Sequence, residues 1–377
     1  MSGKTANQSR SPGPIPDDRS RCLSRYTGNM WNDIRGHQTQ VELFRQAVAS
    51  GRLSHSYLFA GQSGIGKKRF AEKLAAGLLC NVDPNPITAC GECPSCKQVK
   101  VDTHPDLLRV GCPPDKTAIP ISLLAGPPER RGREGLCYEI SLKPAVADRR
   151  IAIIDDVEKL NVESGNTLLK TLEEPPAKAV FFLIVDRVEA VLPTIRSRCQ
   201  LVQFSPLSDS DVAELVLENE IVASADEADA IARLSGGSMD AASQLADEKV
   251  RELSAIITDG IRGAKLKQPM TLAASVIKAI EGTSSDTAVQ RINAHWALRF
   301  LGRALQVSLR RAATGQNPQL TVVESTGDEA VDAIGNMLQR VIDTESHLRQ
   351  RMPMQLCFES MLDDLRRIAS GQAAASA

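Results

Sequence analysis

Short apolar segments alternate with helical patterns of apolar residues between Trp31 and Pro206. Five of the short segments are rich in β-branched or aromatic residues and are bounded by turn residues, which predicts strands. The predicted strands are Tyr57–Ala60, Leu107–Val110, Arg150–Ile154, Ala179–Val185 and Gln200–Phe204. Because helical segments separate these strands, the pattern predicts an α/β domain whose mostly parallel sheet is covered on both faces.

After Pro206 the strand pattern does not recur, and apolar residues follow a helical period instead. Residues 208–248 predict small helices that are interrupted at Gly236 and Gly237. Longer helices are predicted over Asp286–Leu309, Glu329–Leu348 and Gln355–Ala369. Their apolar faces are typical of the core of a helical bundle.

These patterns divide the chain into four parts. Residues 1–29 are rich in Ser, Pro, Arg and Asn without an apolar period, which predicts a disordered tail. The α/β domain is predicted over 30–207, with a cysteine-rich module at 80–96 and an inserted Pro-, Gly- and Arg-rich loop at 112–143. A small helical domain is predicted over 208–262 and a second helical domain over 263–377.

The composition is that of a globular protein of two or three domains, with 377 residues, 42% apolar and 24% charged. Its net charge of −1 argues against a strongly basic nucleic-acid scaffold. No segment approaches the roughly 20 apolar residues that span a membrane, and residues 1–29 lack the apolar core of a secretory signal. We therefore expect a cytoplasmic protein that does not contact membranes.

The first predicted strand runs into the glycine-rich segment Gly61-Gln-Ser-Gly64-Ile-Gly66-Lys67-Lys68, and an amphipathic helix follows. Glycines allow backbone N–H groups to surround phosphates, the helix N-terminus favours an anion, and Lys67 would reach the β- and γ-phosphates. Lys68 stands where a Ser or Thr hydroxyl would hold Mg²⁺, and an ammonium group cannot ligate a cation. Two interpretations follow: weak nucleotide binding, or a loop that is retained only as a structural turn.

The third predicted strand ends in two carboxylates, Asp155 and Asp156. In a nucleotide-binding sheet the first acid would orient Mg²⁺, and the second would polarise the attacking water. Asp156 is one methylene shorter than a glutamate, and a misplacement of about 1 Å can cost on the order of 10²-fold in rate. The pair supports a nucleotide-binding fold but not hydrolysis, so ATP and Mg²⁺ are expected to bind weakly or not at all.

Four cysteines lie close together in the sequence, in the order C-x₉-C-x₂-C-x₂-C. They are Cys80, Cys90, Cys93 and Cys96. Thiolates two residues apart lie on one tight turn and can share a tetrahedral metal ion, and four ligands leave no open position for catalysis. The spacing favours a structural zinc site, while a redox pair, buried free thiols and an iron–sulfur cluster are the alternatives.

A leucine-rich amphipathic helix is predicted between residues 167 and 174. Leu168, Leu169 and Leu172 share one face, which is typical of a core helix, and two prolines end it. Lys170 and Glu173 lie off this face and are expected to be solvated.

Five motifs together resemble those of bacterial DNA polymerase III clamp-loader subunits, which are AAA+ proteins. In chain order they are Gly61–Lys67, the four cysteines, Thr103-His-Pro-Asp106, Asn166–Pro176 and Ser197-Arg198-Cys199. Residues 31–206 carry the resemblance. It implies an AAA+ P-loop domain with an inserted zinc module, a small helical lid and an all-α C-terminal collar that mediates oligomerisation.

The family contains ATP-hydrolysing motor subunits of the gamma/tau type and delta prime subunits, which act as stators. A motor is expected to have Ser or Thr after the P-loop lysine, Glu after the strand-end Asp, a polar sensor near Val185 and a sensor arginine near 240. Here Lys68, Asp156, Val185 and Asp240 occupy these positions. The pattern therefore resembles the delta prime branch, with a motor subunit as the alternative. A zinc-containing DNA-binding AAA+ protein outside replication is a second alternative.

The resemblance implies a role for Arg198. In this family the arginine of Ser-Arg-Cys acts across a subunit interface on the γ-phosphate of ATP that the neighbour holds. A plain surface salt bridge is the alternative for an isolated arginine. The implied partners are gamma/tau and delta subunits in a hetero-pentameric ring, the sliding clamp and, through the complex, primed DNA in a nucleoid-associated replisome.

Overall fold

The computed structural model describes residues 31, 34–82, 87–113, 116–262, 266, 268–315 and 328–371. The predicted tail at 1–29 lies outside these residues. The chain forms two compact units with a boundary after Pro206. Among the described helices, none combines the length and apolar character that a membrane-spanning segment requires.

The first unit is built on a parallel sheet of five described strands in the order β2-β3-β4-β1-β5. The strands are β1 Ser56–Ala60, β2 Leu107–Val110, β3 Arg150–Ile154, β4 Ala179–Val185 and β5 Gln200–Gln203. All five predicted strands are therefore confirmed, with differences of one residue at the start of β1 and the end of β5. The parallel α/β core is confirmed as well.

Helices cover both faces of this sheet. They are α1 Gln38–Ala49, α2 Lys67–Leu78, α3 Pro94–Lys100, α4 Ile121–Ala125, α5 Leu136–Glu139, α6 Val162–Glu173 and α7 Pro193–Arg196, with single 3₁₀ turns at Pro128–Arg130, Val157–Lys159 and Val188–Ala190. Strand β1 is buried at every position, with Tyr57 and Phe59 in the apolar cluster on one face and Leu58 and Ala60 in the cluster on the other. A strand buried on both faces has a continuous apolar sequence, which explains its pattern.

The sheet brings the ends of three strands together. Strands β1, β3 and β4 are neighbours and run in the same direction, so Gly61, Asp155 and Asp186 follow them at one edge of the sheet. Ligand sites of open parallel sheets lie beyond this carboxyl edge.

The segment 112–143 was expected to be an inserted loop, and this expectation is wrong in part. It contains α4, α5 and a 3₁₀ turn, and Leu124, Leu136 and Ile140 are buried against the sheet. The physical reason is topological: β2 and β3 are parallel neighbours, so the chain between them must cross back over the sheet. Because the segment is rich in Pro and Gly, its sequence predicted a loop and not this crossover.

The second unit, from Leu207 onward, contains only helices among its described residues. They are α8 Asp209–Glu218, α9 Ala225–Ser235, α10 Met239–Leu245, α11 Glu248–Arg262, α12 Pro269–Thr283, α13 Thr287–Ala313, α14 Asp328–Arg349 and α15 Met354–Ala369. The helical C-terminal region is confirmed. One apolar cluster joins α8 to α10 with Val250 of α11 and Phe300 of α13, and a second joins α11 to α15. The division into domains at 208–262 and 263–377 stays a prediction.

Candidate functional site

The glycine-rich segment forms a tight loop between β1 and α2. A Cβ atom at Gly61 would lie 2.5 Å from the carbonyl oxygen of Phe204, so only glycine fits there. Gly66 precedes α2 with φ of 94°, a left-handed conformation that side chains rarely adopt. Gly64 also has a positive φ, of 76°. The loop therefore has the glycine-dependent geometry that its sequence predicts.

The ammonium group of Lys67 lies inside this loop. Its Nζ donates hydrogen bonds to the carbonyl oxygens of Gly61 at 2.6 Å and Gln62 at 2.7 Å, and to Oδ1 of Asp186 at 2.9 Å. The Lys67 side chain is only 4% exposed. An ammonium group has three donors, and acceptors of this chain occupy all three, so Lys67 can reach a phosphate only by giving up such a contact.

The two strand-end aspartates pair with lysines nearby. Oδ2 of Asp155 lies 3.1 Å from Nζ of Lys68, and Oδ2 of Asp156 lies 3.1 Å from Nζ of Lys159. The Asp155 carboxylate, which would orient Mg²⁺, is therefore already paired with Lys68. A cation in contact with this carboxylate repels a divalent metal ion and also neutralises the ligand charge.

Asp186 and Glu158 belong to this site and were not predicted from the sequence. Asp186 directly follows buried Val185, the last residue of β4. From the sequence alone, a polar sensor was sought within the strand, near Val185, and not at the residue after it. Burial raises the pKa of Glu158, and the charges of Asp186 and Asp156 raise it further. Asp186 follows β4 as Asp155 follows β3, and this shared position was the feature that could have pointed to Asp186.

The charges at this edge of the sheet are thus balanced within the chain. Lys67, Lys68 and Lys159 each contact one aspartate. A triphosphate needs uncompensated positive charge, and its Mg²⁺ needs free carboxylate oxygens. To bind here, a triphosphate or Mg²⁺ would have to displace these existing ion pairs.

The four cysteines Cys80, Cys90, Cys93 and Cys96 form a second candidate site, and all four are buried. Their sulfur atoms lie within 4.8 Å of one another, and the Sγ atoms of Cys90 and Cys96 are 3.9 Å apart. Tetrahedral zinc at ~2.3 Å from each sulfur would separate the sulfur atoms by about 3.8 Å. The cluster could therefore hold a metal ion.

Backbone and electrostatic features also fit a bound cation. The backbone N–H of Cys90 donates to Sγ of Cys80, that of Cys93 to Sγ of Cys90, and that of Cys96 to Sγ of Cys93, at 3.3–3.5 Å. Burial raises the pKa of the Cys90 thiol to about 11. Hydrogen bonding to Cys80 and burial raise the pKa of Cys96 as well. Four adjacent thiolates require a positive charge between them, which a metal ion supplies.

A hydrogen-bonded chain connects the cysteine module to the sheet. Ser95 donates its hydroxyl proton to the carbonyl oxygen of Leu79 at 2.6 Å and lies 2.8 Å from Nε2 of His104. Nδ1 of His104 accepts the backbone N–H of Asp106 at 3.1 Å, so Nε2 carries the proton. Burial lowers the pKa of His104, which favours this neutral form.

Asp106 is fully buried and gathers donors from the segment before β3. Its carboxylate accepts the backbone N–H groups of Ala145, Val146 and Ala147 at 2.7–2.9 Å, and Nε of Arg150 at 3.1 Å. Burial alone would raise the pKa of Asp106, but these donors outweigh it and the pKa lies below its ordinary value. The Thr-His-Pro-Asp motif is therefore a structural connection between the cysteine module and the sheet.

Arg198 lies on the surface after the short helix α7, away from the buried core. Its Nη1 donates to the carbonyl oxygen of Thr194 at 2.9 Å and to Oγ of Ser197 at 3.2 Å, and its Nη2 lies 2.7 Å from Oε1 of Glu173. The Arg198 side chain is 35% exposed. Cys199 packs against the apolar cluster under the sheet, where burial raises its pKa to about 12 and keeps the thiol protonated.

The structure thus brings the predicted residues together in three groups. Lys68 at the end of the phosphate loop contacts Asp155, the cysteines cluster, and Arg198 stands apart with Glu173. Asp156 pairs with Lys159 instead. Glu173 was expected to be solvated; it is 48% exposed and carries this ion pair. The leucines Leu168 and Leu172 are buried as predicted, and Leu169 is partly buried against the same cluster.

Residues 36–208 match the family model described as DNA polymerase III, delta subunit. The chain is 33% identical to the DNA polymerase III subunit delta' of Pseudomonas aeruginosa, over 59% of this chain and 65% of that protein. It is 30% identical to the subunit delta' of Bacillus subtilis, over 51% of this chain and 54% of that protein.

A further relative is the DNA polymerase III subunit tau/gamma of Haemophilus influenzae. The identity is 30%, over 48% of this chain and 25% of that protein. The chain thus spans less than two thirds of the length of each of these relatives. The residues that the family model matches, 36–208, include the motifs of the first unit.

Proposed function

Because this chain is similar to bacterial DNA polymerase III clamp-loader subunits and is most like the delta prime subunit, we propose that it is a delta prime-like stator. In this role it supports the ATP-driven loading of the sliding clamp onto primed DNA without hydrolysing ATP itself. Its partners are gamma/tau and delta subunits in a hetero-pentameric ring. Its first unit is the AAA+ domain, and the second provides the helical lid and the collar.

The observation that carries this proposal is the internal pairing of the phosphate loop. Lys67 contacts Asp186, and Lys68 contacts Asp155, so the groups that should bind phosphate and Mg²⁺ neutralise one another. The loop keeps the backbone geometry of a nucleotide site while the charges oppose nucleotide binding. The likeness to tau/gamma subunits keeps an ATP-hydrolysing motor as the alternative, and turnover by the isolated chain distinguishes the two.

Arg198 supports the stator role in a different way. Its side chain is partly exposed, and the guanidinium is permanently charged and planar, which suits contact with a phosphoryl group. In the proposed assembly it reaches the γ-phosphate of ATP bound by the neighbouring motor subunit. There it stabilises the charge that develops on the transferred phosphoryl group.

The four-cysteine cluster in this proposal holds a structural zinc ion. The cluster offers four sulfur ligands, no fifth polar ligand is required, and the N–H···S bonds stabilise thiolates. The hydrogen bonds that link Ser95, His104 and Asp106 then fix the module against the sheet. Zinc thereby stabilises the fold and takes no part in a reaction.

Reconstitution tests the proposed function. We expect this chain, mixed with the gamma/tau and delta subunits of the same bacterium, to form a complex that loads the sliding clamp onto primed circular DNA. Omitting the chain should lower the loading rate at least about tenfold, because one ATP site then lacks its trans arginine. Clamp retention on DNA, measured by gel filtration, reports the rate.

An excess of motor subunit in place of this chain is the control, and it should not restore loading. Assembly and loading at the full rate without this chain would contradict the stator role. Restoration by the motor subunit alone would favour the alternative function.

A further inference from the structure

The guanidinium of Arg198 is oriented by its own chain. Nη1 donates to two acceptors near the end of α7, the carbonyl oxygen of Thr194 and Oγ of Ser197. Glu173 approaches from a different element, α6, and its Oε1 lies 2.7 Å from Nη2. The guanidinium plane is therefore fixed from two sides, by α7 and by the end of α6.

The place of Glu173 on its helix is unusual for a residue that only stabilises the fold. It is the last residue of α6, where the negative end of the helix dipole disfavours a carboxylate. Pro175 and Pro176 follow shortly and prevent the helix from continuing. The ion pair with Arg198 is partly exposed on both sides, and such pairs add little to folding stability. Its effect is on the orientation of Arg198.

Part of the guanidinium stays available. Within the residues that the structure describes, Nη1 of Arg198 makes both hydrogen bonds, Nη2 pairs with Glu173 at 2.7 Å, and Nε contacts no acceptor. Each Nη carries two N–H groups, so Nη2 can pair with Glu173 through one of them and use the other, together with Nε, to bind a phosphate while Nη1 keeps its anchor. Glu173 lies beside Nη2 and sets the direction in which this edge faces.

From this geometry we infer that Glu173 is a positioning residue for Arg198: it holds the guanidinium so that the Nε–Nη2 edge faces the phosphate of the neighbouring subunit. The inference rests on the proposed function of Arg198. Glu173 itself touches no nucleotide. Without the Glu173 carboxylate, Nη1 of Arg198 keeps its hydrogen bonds near the end of α7, but the guanidinium gains rotational freedom. It then adopts the productive geometry toward the neighbour's phosphate less often.

The test measures kcat and KM for ATP of the reconstituted loader, in the presence of clamp and primed DNA. Glu173→Gln should lower kcat about tenfold with KM unchanged, because orientation in the transition state is lost and ground-state binding by the neighbour is not. Glu173→Asp keeps the charge on a shorter arm and should fall between Glu173→Gln and wild type. The thermal midpoint should not change, which separates this effect from a structural one.

Glu174→Gln is the matched control, since Glu174 is the next residue, is exposed and does not contact Arg198 in the described structure. It should behave as wild type. In an Arg198→Ala background, Glu173→Gln should have no further effect. An unchanged kcat in Glu173→Gln, or an equal loss with and without Arg198, would overturn the inference. If Arg198→Ala alone lowers kcat while Glu173→Gln does not, only the positioning role fails; if neither variant does, the proposed role of Arg198 fails too.

Discussion

Arg198→Ala is expected to slow ATP turnover at the neighbouring motor site by about 10³-fold, at the lower end of the 10³–10⁵ found for arginine fingers. The guanidinium supplies a fixed positive charge where negative charge develops, and alanine leaves that charge unbalanced. The fold should be unaffected, because Arg198 is partly exposed and its hydrogen bonds go to the nearby acceptors Thr194 and Ser197. Clamp-dependent ATPase and clamp loading by the reconstituted complex are the measurements.

Arg196→Ala is the matched control. Arg196 ends α7 two residues earlier, has the same charge and is exposed. It should leave assembly and ATPase at wild-type levels, so that any loss specific to Arg198 is not a general effect of surface charge. Equal ATPase and loading rates for Arg198→Ala and wild type would rule out a trans arginine at this position.

Cys93→Ser is expected to release the metal ion and to destabilise the first unit by several kcal/mol, because structural zinc sites contribute on the order of 10 kcal/mol. The module's own apolar cluster is small and consists of the four cysteines and Ala89, with Ala76 and Val82 partly buried. Cys93 also caps α3 by accepting the N–H of Cys96. Elemental analysis should find one zinc per wild-type chain, and thermal unfolding should report the loss.

Cys112→Ser is the control for this change, since Cys112 is a half-buried cysteine outside the cluster. It should keep the zinc and the wild-type midpoint. A metal-free wild-type chain whose unfolding is insensitive to chelators would argue for plain buried thiols. Stoichiometric iron with visible absorbance would replace the zinc assignment by an iron–sulfur cluster.

The three central strands of the sheet, β1, β3 and β4, were predictable because each is largely apolar and bounded by turn residues. Strand β4 is buried at all seven positions, and such a continuous apolar run can be recognised from the local sequence alone. The crossover at 112–143 was not predictable from local pattern. Its helices are four and five residues long, and its buried residues are separated by Pro, Gly and Arg, so no helical period develops.

The candidate sites, too, were predictable only where their residues are close together in the sequence. The phosphate loop and the cysteine cluster are local in sequence, so their residues were named from spacing alone. The contacts that decide their chemistry are not local: Asp186 lies 119 residues from Lys67. Glu173 and Arg198 meet only because α6 and α7 pack together. The sequence predicts which residues occupy the motifs, while the three-dimensional pairing of charges required the structure.

The central claim is that this chain retains a nucleotide-binding fold whose charges are neutralised internally and acts on a nucleotide bound elsewhere. Titration of the purified isolated chain with ATP and Mg²⁺ tests it most directly, with the motor subunit as the positive control. The account predicts no saturable ATP binding and no Mg²⁺-dependent phosphate release by the isolated chain. Saturable binding accompanied by steady turnover would contradict it.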